Sequence, residues 1–361
     1  MDLTKREHFD RLEETSLAVW PLLESGVAAR INALAIPEAA TDLELLLARR
    51  RSAHLLRPYV ARICLETTNA SDWDSAPNLA LLAATEALNL STYYANFAFD
   101  TKGDVGLRNS TAANQFICSM LLLAHAESLV SEALGETPDA CVRGLAQLRD
   151  RNQDVYAGQY LDLNVLTHGN LARLRRQGVA AFEEVYARRC HLLCGSTFRL
   201  ATIMLENTET ADDHVVAITS ILESLGCGIQ AVNDLADLIP SPQRSYADAA
   251  ADLRNGRLTL PLYRLAAAGT DVELLRSQLT EHLRDEASTE RLLNDIRAIA
   301  PVHEVRAFVW DRCWLPIRRA LRYLRRRHPS QALRYFDFIP HLFFESRIMR
   351  HFEEPRESPL Q

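Results

Sequence analysis

Gln230-Ala-Val-Asn-Asp-Leu-Ala-Asp237 decides the reading of this 361-residue chain. It sets three oxygen-bearing side chains, Asn233, Asp234 and Asp237, within one helical turn of each other. Residues three and four apart share a helix face, so this group can aim at one point. Hard divalent cations take oxygen ligands, and Mg2+ typically bridges one or two carboxylates to a substrate's phosphates. Further on, Asp252-Leu-Arg-Asn-Gly-Arg-Leu-Thr-Leu-Pro261 adds two guanidinium groups and a glycine, a set suited to phosphate. The two stretches predict a helical site for a magnesium-bound diphosphate.

The surrounding composition suits such a bundle. Hydrophobic residues make up 48% and charged residues 24%, a balance that fills a core and keeps a polar surface. Gly (13) and Pro (14) are scarce, which favours helices. A net charge of −7 gives no reason to expect a nucleic acid partner. Of the seven cysteines (64, 118, 141, 190, 194, 227, 313), none forms a Cys-x-x-Cys pair, and most lie in apolar helical patterns. They are expected to be reduced small hydrophobes, not zinc ligands or disulfides. The start of the chain lacks the pattern of a signal peptide, and no stretch is expected to cross a bilayer. Both points suggest a cytoplasmic protein.

Apolar residues recur at spacings of three and four, as in Leu81, Leu82, Leu88 and Leu121, Leu122, Leu129. The spacing predicts helices near 7–34, 41–68, 76–101, 110–135, 138–167, 171–207, 211–239, 248–268, 271–284, 287–299, 302–328 and 331–351. Ile36-Pro37, Thr101-Lys-Gly-Asp104 and Ile239-Pro-Ser-Pro242 punctuate them. Short connections imply antiparallel neighbours in an all-α bundle. The expected organisation is an N-terminal helical extension (1–40), one main domain (41–351) and a flexible tail (352–361). An arginine-rich run, Arg318 to Arg327, reads as a solvated helix face.

Several landmarks between residues 45 and 265 carry a resemblance. Ser52-Ala-His-Leu-Leu-Arg-Pro58, Glu86 to Asp100, Gly158-Gln-Tyr-Leu-Asp-Leu163, Arg189-Cys190, Gln230 to Asp237 and Gly256-Arg-Leu-Thr-Leu-Pro261 follow one another in order. In that order they resemble the trans-isoprenyl diphosphate synthases, or polyprenyl synthetases. The resemblance implies a helical bundle around a central cavity, a homodimer, and two aspartate-rich helices that hold Mg2+ against an allylic diphosphate. Ionisation there yields a carbocation, because metals and basic side chains neutralise the departing charge.

Departures from the family pattern sharpen the expectation. The first aspartate-rich motif reads Asn96-Phe-Ala-Phe-Asp100, so Asp100 survives with Asn96 and Asp104 as helpers. In the second, Asn233 replaces the first carboxylate. On the side where the family binds isopentenyl diphosphate, His54, Leu55 and Asn89 stand where Lys, Arg and His are usual; Arg57 is kept and Arg108 lies near another basic position. A diphosphate needs several fixed cations, so ordinary chain elongation is disfavoured.

The resemblance therefore implies a Mg2+-dependent prenyltransferase passing a C10–C20 chain to a second small-molecule acceptor. Relatives prenylate indole-3-glycerol phosphate, which one phosphate grip would suit. Asp100, Asp234 and Asp237, with Asn96 and Asn233, are the expected metal side. Arg189 and Arg257 are expected at the diphosphate, with Gln230 positioning it. Gln159 and Asp162 line the site, and His54, Arg57, Asn89 and Arg108 face the acceptor. Arg189, in a Leu- and Cys-rich helix, needs an anionic partner if buried. Tyr93, Tyr94, Phe97 and Phe99 divide between cavity and core. Two alternatives stay open: a class I terpene cyclase, which needs no acceptor, and a non-catalytic partner subunit of an active synthase.

Overall fold

The computed structural model describes residues 3–34, 47–48, 54–100, 112–206, 210–238, 250–282 and 285–344. Every extended element among them is a helix. In order these are α1 (Leu3–Leu34), α2 (Leu56–Glu66), α3 (Ala76–Asp100), α4 (Ala112–Leu134), α5 (Pro138–Asn164), α6 (Leu171–Gln177) and α7 (Val179–Cys190). There follow α8 (Ser196–Arg199), α9 (Ile203–Glu206), α10 (Asp212–Asp237), α11 (Ala251–Arg254), α12 (Leu260–Ala267) and α13 (Val272–His282). The last are α14 (Glu286–Ala298), α15 (Val302–Val309), α16 (Leu315–Arg327) and α17 (Leu333–Phe344).

The all-α expectation holds, and the differences lie in where helices break. The single long helix expected over 171–207 is interrupted at Gly178, whose φ of 87° suits a glycine between two helices. It is interrupted again by a wide π turn at His191–Gly195. The helix expected over 248–268 breaks at Gly256, with φ 66°. That over 302–328 carries a π turn at Trp310–Trp314, just before Pro316. Periodicity survives such interruptions, so it could not mark them.

Helix α10 is the axis of the molecule. Its Ile218, Ile221, Leu222, Leu225 and Ile229 join one apolar core with α1–α4, while Cys227, Ala231 and Leu235 join a second with α7, α12 and α15. Asp212 and Asp213 open it, favourably placed at the positive helix end. Leu12, Val19, Trp20 and Leu23 of α1 enter the first core, and Ser16 accepts the Leu55 backbone N–H where α2 begins. In the second core the Phe182 and Tyr263 rings stack at 3.7 Å.

Two helices, α4 and α10, are long and apolar enough to cross a bilayer by length and composition, contrary to the sequence expectation. Counting apolar runs missed them because polar residues interrupt each stretch. The apolar window of α10 is 67% buried inside the protein, as befits a core helix.

Candidate active site

Two glycines position the site. A Cβ on Gly158 of α5 would lie 2.9 Å from Leu192 Cβ and from the Leu193 backbone nitrogen. A Cβ on Gly226 of α10 would lie 2.4 Å from the Gly195 nitrogen. Their missing side chains let α5 and α10 close on the 191–195 turn from two sides. Arg189, at the end of α7 just before that turn, is thereby held between them.

Arg189 is buried, 4% exposed, and serves two carboxylates. Its Nη1 donates to Asp234 Oδ2 at 2.7 Å. Its Nε lies 2.7 Å from Asp162 Oδ1, an ion pair in which the N–H is not aimed along the line. The hydroxyl of Tyr186 donates to Asp234 Oδ2 at 2.7 Å, and Gln230 Nε2 donates to Oδ1 at 2.7 Å. Arg257 completes the network more loosely, 3.5 Å from Asp162 Oδ2. Its backbone is fixed by a bridge between Thr167 and Arg257, by His168 N–H to the Gly256 carbonyl, and by Leu258 N–H to the Leu166 carbonyl.

These contacts govern ionisation. Burial alone would lower the Arg189 pKa, but the carboxylates of Asp162 and then Asp234 raise it well above its ordinary value. Burial pushes the Asp234 carboxyl upward, opposed by Arg189, and Asp252 pushes it the same way as burial. Desolvation also raises the Tyr186 phenol well above its usual range, so it remains a donor.

The network gathers Asp162, Arg189, Gln230, Asp234 and Arg257. Asp237 borders it: its Oδ2 accepts the Asp252 backbone N–H at 2.8 Å. Asn233 is exposed, one position round the helix from buried Asp234. Gln159 is buried beside Asp162 on α5. Asn96 is half-buried near the end of α3. The Asp100 side chain, Asp104 and Arg108 lie outside what is described.

The described acceptor candidates each have partners of their own. Arg57 Nε reaches Thr197 Oγ1 at 3.4 Å, and its guanidinium sits 4.7 Å above the Phe198 ring. His54 is exposed, with its ring 6.3 Å from Phe9 on α1. Asn89 is buried and donates to Glu86 one turn earlier. Among the four aromatics, Tyr94 is core, Tyr93 and Phe99 are exposed, and Phe97 is half-buried. Sequence reasoning missed Tyr186, although it stands three residues before Arg189 on the same helix face. A surface pocket of about 390 Å³ lined by Arg11, Glu66 and Tyr335 lies outside this network, and its Arg11 is paired with Glu66.

No three His, Cys, Asp or Glu side chains among the described residues form a metal cage. Mg2+ seldom needs one, since it keeps waters and shares substrate phosphates. Asp234 is committed to Arg189, Tyr186 and Gln230, while Asp237 accepts a backbone N–H. The donor set fits a cation shared with a diphosphate and does not fit a preformed all-protein centre.

The polyprenyl synthetase family model matches residues 109–296. No functionally curated sequence matches at a significant level. The fold is similar to a decaprenyl diphosphate synthase from Rhodobacter capsulatus, with 17% identity over 94% of this chain and 99% of the other, at a TM-score of 0.65. It is similar to a polyprenyl synthase from Caulobacter crescentus CB15 complexed with calcium and isoprenyl diphosphate, with 19% identity over 94% and 97% and a TM-score of 0.67. A heptaprenyl diphosphate synthase from Staphylococcus aureus gives 15% identity over 92% and 98%, with a TM-score of 0.67. With a match spanning more than half of its residues and a bundle of the same fold throughout, the chain belongs to the polyprenyl synthetase family of prenyltransferases.

Proposed function

We propose that this prenyltransferase ionises an allylic prenyl diphosphate of C10–C20 length and passes the chain to an acceptor other than isopentenyl diphosphate. The observation that carries this reading is the isolation of Arg57. Among the described residues it pairs with no carboxylate, and Leu55 and Asn89 stand where the family pattern has basic side chains. One guanidinium over a Phe198 face can hold a single phosphate or an aromatic anion. A phosphorylated aromatic such as indole-3-glycerol phosphate has both features.

The leaving diphosphate would be met by Arg257, whose 3.5 Å contact to Asp162 is long enough to be exchanged for a phosphate oxygen. Arg189, closed between two carboxylates at 2.7 Å, acts as a positioning residue that fixes Asp162 and Asp234 relative to each other. Asp237, Asn233 and Asp100 would hold Mg2+ together with the substrate's phosphates, and the ion would supply charge neutralisation to the leaving group. The active unit we propose is a homodimer, since Phe116, Ile117 and Met120 of α4 leave an apolar face exposed.

Diphosphate release from the purified protein with Mg2+ and geranyl, farnesyl or geranylgeranyl diphosphate tests this reading. Each substrate is run alone, with isopentenyl diphosphate, and with indole-3-glycerol phosphate. Release that depends on the aromatic acceptor supports it. Cyclic product without acceptor makes the protein a terpene cyclase, and longer diphosphates overturn the acceptor argument.

A further inference from the structure

Helix α16 carries six arginines and no acidic residue between Leu315 and Arg327. Removing those six charges from the chain's net −7 leaves −13 on everything else. The arginines are not scattered round the helix. At 100° per residue, Arg318, Arg319, Arg322, Arg325 and Arg326 fall within about 120° of its circumference. All are exposed. Of the five only Arg325 makes an ion pair with a described carboxylate, Asp337.

The opposite face is sealed. Ile317, Leu321 and Leu324 are at most 2% exposed and pack in the first core, so α16 is fixed against the bundle and cannot turn or insert. Tyr323 and His328 tie its far end to Asp213 at the start of α10. Cys313, just before α16, sits against Gly228. The stripe therefore runs beside the N-terminal half of α10, away from the Asp234–Asp237 end. It is a rigid basic ridge about 12 Å long, unused by the site.

We propose that this ridge docks the protein on an anionic lipid bilayer. A straight, exposed row of guanidiniums on an otherwise acidic protein is complementary to a flat negative surface. The attachment is electrostatic and shallow, because the apolar face is already buried within the fold. Each arginine near such a surface contributes about fivefold to partitioning, and salt screens it.

Co-sedimentation of the full chain with phosphatidylglycerol-containing and pure phosphatidylcholine vesicles tests it. Binding to the anionic vesicles alone is expected, with release in 0.5 M salt (about a 4 Å Debye length). The triple variant Arg318→Gln, Arg322→Gln, Arg326→Gln should lose on the order of a hundredfold in partitioning, with an unchanged unfolding temperature. A control triple variant, Arg6→Gln, Arg143→Gln, Arg291→Gln, removes the same charge from other exposed positions and should bind as the parent does. Equal sedimentation with both vesicle types, no sedimentation, or equal losses in the two variants would each overturn the proposal. So would tighter binding to a 20-base-pair duplex, followed by fluorescence anisotropy at the same salt.

Discussion

Arg189 and Asp234 face each other at 2.7 Å with 4% and 2% of their surfaces exposed, an ion pair taken almost wholly out of water. Such a pair is costly to assemble and more costly to halve, because the remaining charge keeps its desolvation penalty without its partner. Arg189→Met strands both Asp162 and Asp234. Urea unfolding should show a loss of about 3–5 kcal/mol. Arg189→Lys should recover only part of that, since a single ammonium cannot fork between two carboxylates.

Tyr186→Phe isolates the one functional contact that the sequence did not suggest. The ring stays packed against Phe182 and Phe308, and only the hydrogen bond to Asp234 is removed. A bond to a charged acceptor contributes about 1.5–3 kcal/mol, and chemical denaturation should register a loss of that size. A variant as stable as the parent would mean the hydroxyl does not hold the carboxylate.

Asp237→Asn separates charge from structure. An amide oxygen can still accept the Asp252 N–H, so stability should change by less than about 1 kcal/mol. Diphosphate release should nonetheless fall at least about tenfold (about 1.4 kcal/mol) and recover in part as Mg2+ is raised. If Asp234→Asn and Asp237→Asn both kept full turnover, the metal side of the site would have to be sought elsewhere.

Gly226→Ala probes the close approach that assembles the network. The new methyl would meet Gly195 and Cys194 backbone atoms at 2.4–2.7 Å, none of which can rotate away. Forced separation of α10 from the 191–195 turn should cost about 3 kcal/mol. It should also lengthen the Arg189–Asp234 contact, lowering turnover in whatever protein remains folded.

Acid should destabilise the protein through its buried histidines. Burial lowers His8, stacked on Phe338 and hydrogen-bonded to Tyr59, from 6.5 to about 4. His168, His191 and His214 are lowered by the same cause. The unfolded chain then takes up protons first, so stability is full above pH 6.5 and is lost as pH falls toward 4. His8 alone accounts for up to about 3 kcal/mol of that loss. His8→Gln should flatten the stability profile between pH 6.5 and 4 relative to the parent, measured by denaturant midpoints.

What the sequence determined by itself is the all-α class and the membership of Asp162, Arg189, Gln230, Asp234 and Arg257 in one candidate site. Helical periodicity is a local property, and the landmarks keep their order along the chain whatever the packing. Even the need of Arg189 for an anion followed from its apolar surroundings. Which anion it would find did not, because Asp162, Arg189 and Asp234 lie on three helices whose spacing is set by Gly158 and Gly226. Tertiary packing also turned Asn233 outward while burying Asp234, and set Arg57 over the Phe198 ring. Spacing along a helix tells which residues share a face, but the neighbouring helices decide what that face meets.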